Sequence, residues 1–268
     1  MSKDDLGDRM KEYEGVEAHR RLDTTLPVVA RIDGRSFSKF TKPFEKPFDK
    51  RVTAVMDATT AHLVRETHAS IGYTQSDEIT LVWYVDREEN PAAQMLFDGR
   101  TQKLCSVLAG MASSKFAVEL VKQSDNTRSL AVRACPHFDC RVWNVPSQME
   151  AANTVLWRFL DARKNAVSSF ARSHMSHKKM QGLSSAEQIA AVIDAGGPDF
   201  YQVVSPEDRF GRTFYRETVE RKLTEREWTA IPADHRPPRN DLVTRTQITR
   251  QAVDWAGLED RTAFIFEK

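Results

Sequence analysis

Cysteine is scarce in this sequence. The 268 residues hold three, Cys105, Cys135 and Cys140, too few and too irregular for a framework of paired disulfides or a Cys-x-x-Cys zinc signature. Within "CPHFDC", Cys135 and His137 share one face of a strand and Cys140 lies on the other, whereas structural zinc takes four convergent ligands. Charge of one sign is also lacking. With 39 basic against 38 acidic side chains, no global field announces nucleic acid, and a basic surface has to come from local clustering. Clustering occurs between Arg209 and Arg250, where Glu217, Glu220, Glu225 and Glu227 are interleaved. A solvated face and an RNA-facing one fit that pattern equally. The start, "MSKDDLGDRMKEYEG", has no apolar signal segment, and no run reads as a membrane span. The expectation is a soluble, cytoplasmic protein in a reducing compartment, with no membrane partner. Repeats and low-complexity tracts are missing as well.

What is present is an ordered series of periodic segments. "LPVVARIDGRSF" contains a buried-type strand, residues 27 to 32, that stops at Asp33-Gly34. A helix begins near residue 50 behind Asp49 as N-cap, with Val52, Val55, Met56, Thr59 and Leu63 on one face. "GYTQSDEITLVWY" gives two strands with Asp77 and Glu78 at the turn between them. A second helix, about 101 to 120, points Leu104, Val107, Leu108, Met111 and Val118 inward, and "HFDCRVWNV" is a fourth strand. Strand, helix, strand, strand, helix, strand is the split βαβ or ferredoxin-like order, an α+β fold. In such a sheet the first strand lies beside the third, so Asp33 can meet Asp77.

Residues 1–146 therefore read as a palm-like domain with a helical lead-in. Residues 147–268 read as a helical and basic region packed on it: a long helix over about 148 to 171, and a short one with a Ser184/Glu187 capping box and Gly196 as its stop. Beyond it, "FYQVV" and "RTFYRETV" look strand-like, and "PADHRPPRND" is a Pro-rich loop. Tryptophans 83, 143 and 157 read as core rather than as stacking platforms.

Two carboxylates at adjacent loop tips suit a pair of Mg²⁺ ions, which take hard oxygen ligands and complete their shells with water and phosphate. Gly34 lets backbone approach closely. Arg100 and Lys103 share a helix face near an N-terminus, where anions are favoured. Lys46 in "FEKPFD", with Ser36 and Ser76, adds a cation and hydroxyl donors for a triphosphate.

The blocks "ARIDGRSFSKF", "FEKPFD", "GYTQSDEITLV", "FDGRTQKLCSVLAGMASSKF" and "HFDCRVWNVPS", in this order over about residues 26 to 170, resemble the tRNA-His guanylyltransferase family. The resemblance implies a polymerase-type palm that adds nucleotides in the 3′-to-5′ direction at the 5′ end of tRNA. It implies Asp33, the Gly34 carbonyl and Asp77 as ligands of two Mg²⁺, with Glu78 beside them as a third catalytic acid. Nucleotide would be bound by Asp33, Gly34, Arg35, Ser36, Phe37, Ser38, Ser76 and Asp77, and triphosphate by Lys46, Arg100 and Lys103. Substrates would be ATP, GTP or other NTPs together with tRNA, and the assembly a homo-tetramer.

The departures from the guanylyltransferase pattern are informative. Ser38 stands where that pattern has His, and "WRFLDARKNAVSSFAR" replaces its "HINNLYN" block, keeping Trp157, Arg158, Asp161 and Asn165 but with Arg163 for the His. This is closer to the bacterial-type guanylyltransferase-like 3′-5′ RNA polymerases, whose family role is templated repair of 5′-truncated tRNA. Arg158, Asp161, Arg163 and Asn165 are then expected to face RNA. The alternatives are a nucleotide cyclase of diguanylate-cyclase type on the same palm, and an RNA-binding module without chemistry.

Overall fold

The computed structural model describes residues 3–88 and 91–267, without the side chains at positions 3, 4 and 177. A lead-in helix, α1 (Lys3–Ala18), precedes β1 (Val28–Gly34). One turn, α2 (Phe37–Phe40), leads to α3 (Lys50–Thr67), the hairpin of β2 (Ile71–Gln75) and β3 (Glu78–Trp83), then α4 (Thr101–Gln123), α5 (Asp125–Ala134) and β4 (Phe138–Asn144). Next come α6 (Gln148–His174), α7 (His177–Met180), α8 (Ser185–Asp194), α9 (Phe200–Val203) and α10 (Pro206–Phe210). The chain closes with β5 (Arg212–Arg221), α11 (Glu225–Ala230), β6 (Val243–Gln251) and α12 (Arg261–Phe266).

The strands form one sheet in the order β4-β1-β3-β2-β5-β6, with antiparallel neighbours throughout. Its first four strands have the βαββαβ order that the periodicity predicts. Local chemistry sets the element ends. Asp49 caps α3 by accepting from Arg51 N at 2.8 Å, and its other oxygen accepts from Glu45 N at 2.9 Å. Ser184 and Glu187 form the expected reciprocal cap on α8. "FYQVV" is a correction: Asp199 accepts from Tyr201 N at 2.8 Å and starts the helical turn α9 in place of a strand.

The two faces of the sheet bury different partners. Val28, Ala30, Ile32, Ile79, Leu81 and Trp83 meet α3 and α4 in one apolar core. Val29, Ile71, Tyr73 and Val82 meet Ala151, Val155 and Phe159 of α6 in a second. Each fully buried Val, Ile, Leu or Phe side chain among them contributes about 1.5–3 kcal/mol by leaving water. The sheet crosses residue 146 without a break, since β5 pairs with β2 and α6 supplies the second layer.

By length and composition alone α4 could cross a membrane, which corrects the expectation that no run is long enough. Here it is a core helix, with Leu104, Leu108, Ala112, Phe116 and Leu120 buried along one stripe. That spacing of four turns Val118 outward, contrary to expectation, and it is 51% exposed.

Candidate active site

Strand β1 ends where β3 begins. Their register sets Asp33 opposite Glu78, and Gly34 N donates to the Asp77 carbonyl at 3.0 Å. Asp33 and Asp77 are thereby brought together across the sheet. Both tips are bent by serines in the left-handed region, Ser36 at φ 57° and Ser76 at φ 49°, a conformation that costs a non-glycine residue and concentrates at functional sites. Gly34 is required by packing: a Cβ there would lie 2.3 Å from the Phe37 ring. Phe37 belongs chiefly to an aromatic cluster with Phe40, Phe116 and Phe138 beneath the turn.

Neither aspartate has a cation within salt-bridge distance among the described residues. Ser76 Oγ donates to Asp77 Oδ1 at 3.0 Å. Burial raises the Asp77 carboxyl above its ordinary value, with the charge of Asp33 adding to the shift. Burial likewise raises Asp33, with Asp139 next in effect and Arg31, Arg141 and Arg158 opposing. Two carboxylates without a salt-bridge partner beside a backbone turn suit a hard divalent cation. No group of three His, Cys, Asp or Glu side chains is placed to hold a metal among the described residues, so a cation here would take oxygens from backbone, water or phosphate.

Glu78 is engaged differently. Arg158 Nε donates to its Oε1 at 2.6 Å and Nη2 to its Oε2 at 2.8 Å, and Arg31 Nε lies 3.9 Å away. Burial raises its carboxyl while the bonds from Arg158 oppose the rise. A carboxylate held on both oxygens fixes α6 against the sheet instead of presenting a free ligand. Arg158 also donates to Asp161 Oδ2 at 2.9 Å. The expectation that Arg158 faces RNA is therefore corrected: it is 7% exposed and spent on this clamp, whereas the Asp161 side chain stays 41% exposed.

Beside Asp77 opens a cleft of about 810 Å³ between the start of α3 and the second half of α6. Of the expected nucleotide-binding residues, Gly34, Ser36, Phe37, Ser38, Lys46, Ser76 and Asp77 line it, and so does Asn165. Lys46 Nζ donates to the Thr41 carbonyl at 3.0 Å. Asp33, expected here too, is not among the residues that line the cleft. Arg35 turns away, with its Nη1 3.4 Å from His137 Nε2, and Arg163 is set over the Phe159 ring.

Arg100 and Lys103 are not brought to this cleft. Helix α4 returns from the far end of β3, and the residue on it that packs under the site is Phe116, roughly 20 to 24 Å further along the helix at 1.5 Å per residue. Arg100 pairs through its backbone with Arg21, and Lys103 sits 5.1 Å over the Phe97 ring. Missed by sequence reasoning were Arg31 beside Glu78 and Ser168, Ser169 and Arg172, which with the expected Asn165 make the polar wall of α6. Their spacing of three, four and seven was the available signal.

The sequence profile of the tRNAHis guanylyltransferase family matches residues 7–146. The chain belongs to the tRNAHis guanylyltransferase family. The tRNA(His) guanylyltransferase of Schizosaccharomyces pombe is 33% identical over 159 residues, 57% of this chain and 57% of the relative, so the match spans little more than half of that enzyme. An uncharacterized protein of Acanthamoeba polyphaga mimivirus is 30% identical over 202 residues, 70% of this chain and 69% of its own. Among solved structures, a bacterial tRNA(His) guanylyltransferase-like protein in complex with ATP superposes with a TM-score of 0.71 at 29% identity, covering 79% of this chain and 87% of that one. One in complex with GTP gives 0.65 at 25% identity, covering 91% and 90%. The guanylyltransferase fold is thus shared along the sheet and into α6 and beyond.

Proposed function

We propose that this protein is a 3′-5′ nucleotidyltransferase that extends the 5′ end of tRNA after NTP-dependent activation of the 5′ phosphate. The observation that carries the reading is the meeting of Asp33 with Asp77, which lines a nucleotide-sized cleft, within the fold of a guanylyltransferase family. In the first step a 5′-phosphate oxygen of the RNA attacks the α-phosphorus of ATP or GTP and pyrophosphate leaves. The 3′-hydroxyl of an incoming NTP then attacks the activated 5′ phosphorus, and the nucleoside monophosphate leaves.

The donor set fits Mg²⁺: Asp33, Asp77 and the Gly34 carbonyl would hold it. Bound there, Mg²⁺ supplies charge neutralisation at the transferring phosphoryl groups and a more acidic attacking hydroxyl. The rest is positioning, which accounts for most catalysis in phosphoryl-type transfer. Lys46 and the Ser36 and Ser76 hydroxyls bind triphosphate oxygens. Asn165 and the serines of α6 orient the nucleoside. The clamp of Arg158 on Glu78 holds that wall at a fixed distance from the two aspartates.

The departures at Ser38 and Arg163 favour template-directed repair over untemplated G addition. The test is a 5′-monophosphorylated tRNA lacking its first nucleotide, given ATP, Mg²⁺ and each NTP in turn. Extension by the NTP that complements the opposing base is expected. Absence of any extension contradicts the reading, and extension by GTP whatever the opposing base contradicts its templated form.

A further inference from the structure

Trp157 is left over by the site as described. It stands on α6 one residue before the arginine that clamps Glu78 and is 51% exposed, whereas Trp83 and Trp255, the core tryptophans, are 4% and 0% exposed. The reading of Trp157 as core is thereby corrected. Its inward side is accounted for. The Arg158 guanidinium lies 4.5 Å and that of Arg31 5.6 Å from the ring centroid, and both side chains converge on the buried Glu78 carboxylate. Two guanidiniums that meet at Glu78 lie against the indole, and about half of the residue's surface is open to solvent.

The surroundings of the ring carry chemistry. Strands β1 and β4 set Asp33 opposite Asp139 and Arg31 opposite Arg141. By strand alternation these four residues share the sheet face of Val29 and Trp143, the face that α6 covers. The Arg141 side chain is 57% exposed, and its Nη2 lies 3.6 Å from Asp139 Oδ1. Asp33 is therefore bordered by two different surfaces. On one side lie Asp77 and the cleft, and on the other lie Trp157, Arg31 and Arg141. A triphosphate in the cleft occupies the first. The second offers an aromatic plane, on which any base can stack, and a guanidinium for the phosphate next to it.

We infer that Trp157 is the stacking platform for the base of the RNA's 5′-terminal nucleotide, with Arg141 beside its phosphate, so that the reacting 5′ end is delivered to Asp33 from the side opposite the incoming NTP. The inference rests on the proposed function, since it takes the 5′ end of an RNA as the acceptor. Stacking explains how one surface can receive whichever base ends a truncated RNA, because every base has a π-face.

The test is a binding cycle with two RNAs. One is a 5′-monophosphorylated tRNA lacking its first nucleotide, and the other is the same RNA with its 5′-terminal base removed. Wild type should bind the abasic RNA roughly five- to hundredfold more weakly than the intact one. Trp157→Ala and Trp157→Leu should bind the intact RNA more weakly by a similar factor and show little further loss on the abasic RNA, while the KM for ATP stays at the wild-type value. Trp157→Phe should restore most of the affinity. Unchanged affinity of the Ala and Leu variants for intact RNA, or a full further loss on the abasic RNA, overturns the inference. A changed number of subunits in these variants also overturns it, by marking the surface as a contact between copies of this chain. Extension by wild type in the same preparation separates the two claims: if wild type extends the RNA and the cycle shows no coupling, only the role of Trp157 falls.

Discussion

Asp77 and Glu78 are neighbours in sequence but live in two regions with opposite logic. Around Glu78 every charge is answered, with Arg158 on both oxygens, Arg31 nearby and Asp161 on the far side of the guanidinium. Around Asp77 the charge is left open, facing a cleft with one serine hydroxyl as side-chain partner and Asp33 close enough to raise its carboxyl. The first region is a fastener and the second is a socket. The difference teaches that an acid pair at a hairpin tip divides its labour by strand alternation. Glu78 projects onto the face that α6 covers, and Asp77 sits in the turn, facing the cleft between α3 and α6.

The sharpest break of this comparison comes from removing one acid of each kind. Asp33→Ala or Asp77→Ala should lower nucleotide addition on the order of 10²-fold or more and leave thermal unfolding cooperative with an unchanged circular dichroism spectrum. Arg158→Ala should do the reverse. It strands a buried carboxylate, a loss of about 3–5 kcal/mol in stability by denaturant titration, with activity falling in step with the folded fraction. If Arg158→Ala were as stable as wild type, the fastener would be disproved.

Lys46→Ala sharpens the description of the socket. It should raise the NTP KM by the equivalent of about 1.5–3 kcal/mol, the range for a hydrogen bond to a charged group, in steady-state extension assays. An unchanged KM would remove Lys46 from the triphosphate.

The smallest expected effect concerns the open charges themselves. Both aspartates are raised in the fold by burial, while in the unfolded chain they keep ordinary values near ~4. Between those values the folded state binds more protons. Without divalent cation, stability therefore rises as pH falls through that window and bears the full penalty above it. Asp77→Asn should accordingly raise Tm at neutral pH in a metal chelator, and the gain should vanish below the ordinary carboxylate range. A lower Tm for this variant at neutral pH would contradict the unbalanced charge.

Much of the socket was legible in the sequence because its determinants are local. The Asp49 cap, the apolar stripe of α3 and the strand alternation on either side of Asp77 each speak within a few residues, and their order fixes which strand ends meet. The fastener was not legible as such. Glu78 and Arg158 are far apart along the chain, and an arginine in an amphipathic helix reads equally as an RNA contact or as half of a buried pair. That Arg100 and Lys103 do not line the cleft was not legible for a related reason: three apart at a helix start is a sound local pattern, but which end of the sheet that start reaches depends on the return path from β3. Strand β6 went unread because "VTRTQITRQ" is polar apart from Val243 and Ile248, as befits an edge strand with little burial.

The central claim is that Asp33 and Asp77 jointly hold a divalent cation at the cleft. Mn²⁺ binding in the presence of ATP, followed by electron paramagnetic resonance on wild type, Asp33→Asn and Asp77→Asn, tests it most directly. Each single variant is predicted to bind the protein-held Mn²⁺ roughly tenfold or more weakly. Equal affinity and equal stoichiometry in all three proteins would contradict the account.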